Sequence, residues 1–425
     1  MTHYKKLLLY KLLLLPLISP ALYATEDSTQ DLLTPEHLVS AVLLANPNIE
    51  IAQAAWEAST ARIEQHSAFA DPMFSYSMAP LTIGSNRSDY GQRIEISQTL
   101  PWSGKRQLRS ESASHQADAA QQTANSLRIK LAATSKILFA DWYYIHQAIG
   151  INLRNQDLLK EFRAIAVSRY STGLANKQDA LQAEMESALL EHQTIVLQRE
   201  KSAIRTHINT LLNVSPDQPL APPTPLARVI KVSDIQSLQQ QALQARPELK
   251  ALASSIAAAQ AQSELAVKNY YPDISLKAGY NSLWADSNKH FTVGVGFNLP
   301  LFQAKYKAAE NEALAQIKQV EWQRVDFLAQ LKKEIQLSYD RTHESIHVLH
   351  LHQQKLLPLA KATLDAAESD YQSSKGSFLS LIRSEKNYMQ IQLQTEKSLA
   401  DTHRRLAELE SAVGYLQPFS TSTSP

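Results

Sequence analysis

The chain has 425 residues, no cysteine, only 10 glycines and a formal net charge of +1 at pH 7. Without cysteine it can form neither disulfides nor the lipid-modified N-terminal cysteine of a bacterial lipoprotein, and its near-neutral charge argues against a nucleic-acid partner. Scarce glycine, together with heavy use of Ala, Gln, Leu, Glu and Lys, predicts a mainly α-helical protein with long helices.

Residues 1–24 have the features of a secretory signal peptide. Lysines precede an apolar stretch that ends near Ala24, so we expect an exported protein. Cleavage after Ala24 would place Leu22 where a small residue is usual, and cleavage after Ala21 therefore stays open. Loss of the segment leaves 39 basic and 41 acidic residues, a net charge of about −2. After this segment the sequence contains no run of about 18 apolar residues, so we predict no transmembrane helix there.

A strand-to-helix transition occurs twice in the chain. Residues 98–105 read QTLPWSGK and residues 297–305 read FNLPLFQAK, so Pro101 and Pro300 both stand between an alternating stretch and a long polar one. Proline has no amide hydrogen and closes a strand without leaving a ladder bond unmade. Two copies of one unit are therefore predicted. Three further pairs of segments match at nearly the same offset: 46–47 with 246–247, 71–72 with 271–272, and 170–184 with 371–385.

The two repeats are predicted to span residues 35–214 and 233–415. The Pro-rich segment 215–232 joins them as a stiff, extended connector. Residues 25–34 form a short N-terminal segment, and residues 416–425 form a disordered tail. Each repeat comprises a helix, a β-hairpin, a long outgoing helix and a returning helix.

The hairpins are predicted from the alternation of apolar and polar residues. The strands lie at 73–80 and 93–100 in the first repeat and at 273–281 and 290–299 in the second. A polar loop at 84–89 joins the first pair. Each hairpin thus has one apolar and one polar face.

Long antiparallel helices make up the rest of each repeat. In the first repeat we predict a helix over 35–70 and an outgoing helix over 103–170, which at 1.5 Å per residue is about 100 Å long. The chain turns at 171–176, and the helix from 177 to about 213 must return antiparallel. A seven-residue period along the outgoing helix predicts a coiled-coil seam at Leu131, Leu138, Ile145 and Leu159, interrupted by Asn152.

Strands of about ten residues with one apolar face have the length and pattern of a lipid-spanning barrel with a watery interior. Four strands cannot close, and eight are about the smallest barrel, so copies of the chain must assemble. Three copies would give a twelve-stranded barrel. The alternative is that the hairpins lie at the edge of a soluble coiled-coil protein, with their apolar faces packed on protein.

These residues resemble the TolC-like outer membrane efflux proteins, the trimeric outer-membrane channels of tripartite efflux and type I secretion systems. The resemblance rests on the two Leu-Pro transitions, on residues 169–174 (RYSTGL) and on residues 371–379, which end in KGSFL. Residues 98–105 are most similar to the branch associated with heavy-metal cation efflux. A periplasmic coiled-coil adaptor or scaffold is the remaining alternative that is not a channel.

The resemblance implies a homotrimer in the cell outer membrane, with a twelve-stranded barrel that continues into a helical tunnel in the periplasm. It also implies a periplasmic adaptor, an inner-membrane pump and no cofactor. We expect heavy-metal cations as cargo, and multidrug or protein export stays open as the alternative.

The resemblance places the adaptor contact at the two helical turns, which are Gly173 and Leu174 in the first repeat and Ser374, Lys375 and Gly376 in the second. A purely structural interpretation fits equally well. Gly173 would then permit a turn with positive φ, and Leu174 would cap the coiled coil.

Some relatives narrow the tunnel entrance with acidic residues nine and twelve positions after the tyrosine of the second turn. Here those positions are Ser380 and Arg383, so we expect no acidic ring. Three copies of Arg383 would form either a basic constriction or an interchain salt bridge, with Asp179, Glu184 or Glu385 as partner. An ordinary solvated helix face is an equally weighted alternative.

We predict neither a metal site nor an active site. His343, His347 and His350 share one helical face, but tight binding would slow release from a duct, and such histidines are usually solvated or packed. The sequence has no cysteine nucleophile, no Gly-rich phosphate loop and no His-Glu-x-x-His motif, so we expect no enzyme.

Overall fold

The computed structural model describes residues 32–83, 91–284 and 287–415. The predicted signal peptide, the polar loop at 84–89, the tail at 416–425 and all but the last three residues of the N-terminal segment lie outside this part. The prediction of a mainly helical protein is confirmed. Among the described residues, no helix has the length and apolar character needed to cross a membrane.

In chain order the elements are α1 (Pro35–Ala45), α2 (Pro47–Ser67), β1 (Met73–Met78), β2 (Gln92–Leu100), α3 (Lys105–Ser171), α4 (Lys177–Leu211), α5 (Ile235–Ala245), α6 (Pro247–Lys268), β3 (Ile274–Asn281), β4 (Phe291–Phe297), α7 (Gln303–Leu351), α8 (Leu357–Gln372) and α9 (Phe378–Val413).

The first helix of each repeat is broken by a proline, which corrects the prediction of one helix over 35–70. Asn46 is extended (φ −75°, ψ 122°) because the ring of Pro47 disfavours a helical conformation at the preceding residue. The Asn46 side chain caps α2 by accepting a hydrogen bond from the Asn48 amide at 3.0 Å, and its Nδ2 donates to the carbonyl of Leu211 at 2.9 Å. The same break occurs at Arg246 before Pro247.

The second outgoing helix contains one π-helical turn, His352–Leu356, between α7 and α8. The Leu357 amide donates to the His352 carbonyl, and Pro358, which follows, has no amide hydrogen to donate. Tyr170 follows Pro101 by 69 residues, whereas Tyr371 follows Pro300 by 71. We attribute the wide turn to these extra residues, which a regular helix could not absorb without shifting its packed face.

All four strands form one antiparallel sheet in the order β1-β2-β3-β4. The pairing of β2 with β3 joins the hairpin of one repeat to that of the other, and β1 and β4 are the outer strands. Apart from Met73, the register puts every apolar side chain of the four strands on one face, which is broken only by Gln92 and Gln98. That face comprises Phe74, Tyr76, Met78, Ile94, Ile96, Leu100, Ile274, Leu276, Ala278, Tyr280, Phe291, Val293, Val295 and Phe297.

The helical part is held together along α3, which packs against α1, α2, α4, α6 and α9. The seam residues Leu131, Ile145 and Leu159 are buried, and Leu138 is half-buried against the cluster that contains Leu131 and Ile145. Asn152, also buried, donates from Nδ2 to the Leu190 carbonyl of α4 at 2.9 Å. These contacts place the returning helix alongside the outgoing one.

The connector lies against the helical part of the chain. Trp142 of α3 donates from Nε1 to the carbonyl of Ala221 at 2.9 Å. Leu33, before α1, donates its amide to the Pro222 carbonyl at 2.8 Å, and the Thr224 amide returns a bond to Leu33 at 2.9 Å. Nε2 of His403 in α9 lies 2.9 Å from the Ala227 carbonyl, so the connector contacts both repeats and the N-terminal segment.

Candidate functional site: the helical tips and the strand-to-helix neck

The first tip, residues 172–176, joins α3 to α4. Gly173 has φ +76°, and a Cβ there would meet no atom within 4 Å, so glycine serves the backbone conformation rather than close packing. The amides of Gly173 and Leu174 donate to the carbonyls of Tyr170 at 3.0 Å and Arg169 at 2.8 Å, which ends α3 in a left-handed cap. The Leu174 side chain is 67% exposed.

The second tip, residues 373–377, follows the same path with different residues. Ser374 takes the left-handed conformation (φ +64°) at the position that matches Gly173. The amides of Lys375 and Gly376 both donate to the Asp370 carbonyl, at 2.8 and 2.9 Å. A Cβ at Gly376 would lie 3.0 Å from the Asp370 Cβ, so glycine permits this close approach. Ser377 caps α9 by accepting from the Ser380 amide at 3.2 Å.

Arg169 binds the second tip from the first repeat. Its Nη1 donates to the carbonyls of Tyr371 (2.8 Å) and Gln372 (3.2 Å), and its Nη2 donates to the Ser374 hydroxyl at 2.7 Å. The guanidinium carbon also lies 4.8 Å from the centroid of the Tyr371 ring. The sequence analysis missed this role. One available signal was that Arg169 matches Asp370 in the second repeat, a reversal of charge at a repeated position.

Tyr371 is buried at the junction of the two tips. Its hydroxyl donates to Oδ2 of Asp179 at 3.4 Å, and its ring centroid lies 5.2 Å from that of Phe378. Burial, and then the Asp179 charge, raise the pKa of Tyr371. Asp179 therefore faces the second tip of its own chain.

The residues predicted at the tunnel entrance lie on two helices, Asp179 on α4 and Ser380, Arg383 and Glu385 on α9. Ser380 and Arg383 are exposed, and within the described residues Arg383 has no ion pair. Glu184 lies 3.4 Å from Arg163. Glu385, the third predicted partner of Arg383, is only 3% exposed in this chain. It occupies a core position of α9, one turn from the buried Leu381 and Ile382.

The two strand-to-helix transitions, at Pro101 and Pro300, differ in how they are covered. At the first, the buried Lys105 donates from Nζ to Oδ1 of Asp273 at 2.8 Å and to the Tyr271 carbonyl at 2.9 Å. The Trp102 amide donates to the same carboxylate at 2.9 Å, and its ring stacks on Tyr271 at 5.5 Å. At the second transition the apolar side chains are exposed: Leu299, Leu301 and Phe302.

Within the described part of the chain, no three His, Cys, Asp or Glu side chains lie close enough to hold a metal ion. His343, His347 and His350 are exposed on α7, and the ring of His343 packs 4.5 Å from that of Tyr339.

A long helical bundle that ends in a sheet with one apolar face is the fold of an outer-membrane channel subunit, as known structures show. OprN, an outer-membrane channel, has 18% identity and a TM-score of 0.75, over 89% of this chain and 89% of that one. CusC, studied for transmembrane channel formation, has 18% identity and a TM-score of 0.76, over 93% of this chain and 95% of that one. The outer membrane protein VceC of Vibrio cholerae has 17% identity and a TM-score of 0.72, over 89% of this chain and 96% of that one.

Residues 238–415 match the family model of the outer membrane efflux proteins. A comparison with curated protein sequences gives no significant match. The family model thus covers the second repeat, and the fold of the solved outer-membrane channels is shared along most of the chain. Proteins of this family are channels rather than enzymes. They span the outer membrane as homotrimers, with their helices in the periplasm, and work with an adaptor and an inner-membrane pump.

Proposed function

We propose that the protein is the outer-membrane exit duct of a tripartite efflux system and works as a homotrimer. The observation that carries this proposal is the four-stranded sheet, which has a nearly continuous apolar face and outer strands β1 and β4. Open sheet edges are not tolerated in hydrocarbon, and about eight strands are needed to close a barrel. Three copies supply twelve strands, whose apolar faces would meet lipid.

The contact between the repeats suggests how copies meet. Within the chain, β2 of the first repeat pairs with β3 of the second, and Leu100 lies opposite Ile274. By analogy, β4 of one copy would pair with β1 of the next. Aligning the two Leu-Pro transitions and the two strand starts puts Phe297 opposite Tyr76 of the neighbouring copy. The exposed residues at the second transition would then be covered as Trp102 is covered by Tyr271.

Cysteine cross-linking tests this assembly. Because the chain has no native cysteine, only the introduced cysteines can form disulfides. The double variant Tyr76→Cys/Phe297→Cys is oxidised in outer membranes and run on a denaturing gel. We expect covalent dimers and trimers. The matched control is Ser77→Cys/Phe297→Cys, whose side chains should point to opposite faces. If neither Tyr76→Cys/Phe297→Cys nor Tyr76→Cys/Val295→Cys forms cross-linked products, the proposed closure of the barrel is contradicted.

We propose that the helical tips receive the periplasmic adaptor. The first tip offers the exposed Leu174 beside Gly173, and the second offers Ser374, Lys375 and Gly376. In a trimer the three Arg383 side chains would line the entrance near Ser380. Asp179 is the candidate interchain partner, although within one chain it accepts from Tyr371.

We propose heavy-metal cations as cargo, because residues 98–105 resemble the cation-efflux branch. A strain that lacks the gene is grown, with and without the restored gene, on transition-metal salts and on dyes, detergents and antibiotics. Sensitivity confined to metals is expected. Sensitivity to dyes and detergents with normal metal tolerance would assign the protein to multidrug export. A protein recovered from the periplasm as a soluble monomer would instead favour a scaffold.

A further inference from the structure

Glu184 and Glu385 occupy the same position in the two repeats, each 14 residues after the tyrosine at its tip. Their surroundings are opposite. The Glu184 side chain is 62% exposed, and its carboxylate lies 3.4 Å from Nη2 of Arg163. Glu385 is 3% exposed, and its Oε1 is buried with no hydrogen-bond partner in the described part of the chain. A carboxyl group that is solvated and paired in one repeat is therefore buried and unpaired in the other.

The partner of the carboxyl group also differs between the two repeats. With the tips aligned, the position of Arg163 on α3 is taken by Leu364 on α8. Leu364 is buried in an apolar cluster with Leu159 and Phe162 of α3 and Ile382 of α9. The second repeat thus keeps the acid but replaces the guanidinium with an aliphatic side chain. Burying an unpaired carboxylate is costly, so a packed tip favours the protonated form.

The charged groups around Glu385 do not compensate for its burial. Burial, and then the charge of Glu186 on α4, raise the pKa of Glu385 to about 7, and Lys386 lowers it only in part. Lys386 itself lies 3.3 Å from Glu186. The other charged groups of the packed elements near this level are Asp157, Lys160, Glu161 and Arg163 of α3, Glu184 of α4, Lys361, Asp365 and Glu368 of α8, and Arg383 of α9. Of these, Lys160 pairs with Asp157, Arg163 with Glu184, and Lys361 with Asp365.

We propose that Glu385 is a protonation switch in the second tip hairpin. When it is neutral, α9 packs tightly against α3 and α8. When it is charged, the carboxylate requires water, and the hairpin of α8 and α9 loosens from α3 and α4. Opening of the tunnel entrance by this loosening is a further step, and that step rests on the proposed function.

The direction of the pH dependence follows from the two pKa values. In the loosened tip the carboxyl is hydrated, and its pKa returns toward the ordinary value of 4.5, whereas in the packed tip it is about 7. Loosening therefore releases a proton. Between these values each pH unit favours loosening by up to tenfold. Below about pH 4.5 both forms are protonated, and above about pH 7 both are charged, so the dependence levels off on either side.

The test is hydrogen–deuterium exchange of the full-length protein in detergent from pH 5 to pH 8, with rates corrected for the intrinsic pH effect. Wild-type amides in 371–385 should lose protection by at least tenfold across this range. In Glu385→Gln, an isostere of the protonated acid, protection should stay at the wild-type pH 5 level. The matched control Glu184→Gln should keep the wild-type profile. A wild-type profile in Glu385→Gln, or a flat profile in the wild type, would overturn the proposal. If Glu385→Gln does not fold, Glu385→Leu takes its place, and its amide protection should likewise not change with pH.

Conductance in planar bilayers over the same pH range separates this inference from the proposed function. We expect wild-type conductance to rise with pH and that of Glu385→Gln to stay low. A pH-dependent tip without any conductance would overturn the duct and leave the switch intact. Normal conductance with the same pH profile in Glu385→Gln would leave the duct intact and overturn the switch.

Discussion

Nζ of Lys105 lies 2.8 Å from Oδ1 of Asp273, and this ion pair joins the first residue of α3 in one repeat to the start of β3 in the other. The lysine is 2% exposed. Its ammonium group donates to the carboxylate and to the Tyr271 carbonyl, and the Trp102 amide donates to the same carboxylate. One charged contact thus links the two repeats where the strands meet the helices.

Lys105→Met should destabilise the protein by about 2 kcal/mol, because removing one partner leaves the Asp273 carboxylate short of a donor. The cost stays below that of a fully buried pair since Asp273 is partly solvated. The midpoint of thermal unfolding, followed by circular dichroism in detergent, measures it. Lys305→Met, which removes an exposed lysine from the second transition, should change stability by less than about 0.5 kcal/mol. Equal effects of the two variants would contradict this account.

Arg169→Ala should release the second tip from the first. It removes three hydrogen bonds from a charged donor, each of which contributes about 1 kcal/mol or more. Amide protection at 371–377 should fall at least tenfold, as hydrogen exchange at a fixed pH would show. Arg163→Ala, which removes only the exposed contact with Glu184, should leave these amides unchanged. Retained protection in Arg169→Ala would show that Tyr371 packing alone holds the tips together.

Gly376→Ala should distort the second tip, because the new Cβ would lie 3.0 Å from the Asp370 Cβ and 3.3 Å from the backbone. We expect a loss of about 1–3 kcal/mol, typical of overpacking. Gly173→Ala tests the other use of glycine. It adds no close contact and should cost only about 1 kcal/mol for the positive φ. Limited proteolysis at each tip measures both effects. A larger loss of stability in Gly173→Ala than in Gly376→Ala would contradict these two roles of glycine.

His146 should make the protein sensitive to mild acid. Burial, and then Lys201, lower the pKa of His146 to about 4, and its ring packs 4.6 Å from that of Trp142. Because the unfolded value is 6.5, the stabilisation is present above pH 6.5 and is lost as the pH falls toward 4. His146→Gln should reduce the loss between pH 7 and pH 4 by about 2 kcal/mol in urea unfolding. His350→Gln, which changes a histidine on an exposed helix face, should not reduce this loss of stability. Equal acid sensitivity of the wild type and His146→Gln would contradict the prediction.

Local patterns predicted the strands and most of the helices of this fold. The alternation around Phe74 and Tyr76 has the period of a strand, and the strand β1 lies there. The proline rule also applied at Pro47, where the sequence analysis overlooked it. In contrast, local patterns did not predict the π-helical turn at His352–Leu356, which accompanies the longer spacing between matched residues in the second repeat.

The sequence by itself determined the duplicated unit, its helices and hairpins and the turn at Gly173, because each depends on the conformational preferences of residues close in the chain. Only the tertiary structure decided that Arg169 reaches Tyr371, that Lys105 pairs with Asp273 and that Glu385 is buried while Glu184 is exposed. The residues of the first two pairs are more than 160 positions apart. The environment of each carboxyl depends on which side chain of a facing helix, Arg163 or Leu364, the packing brings to its level.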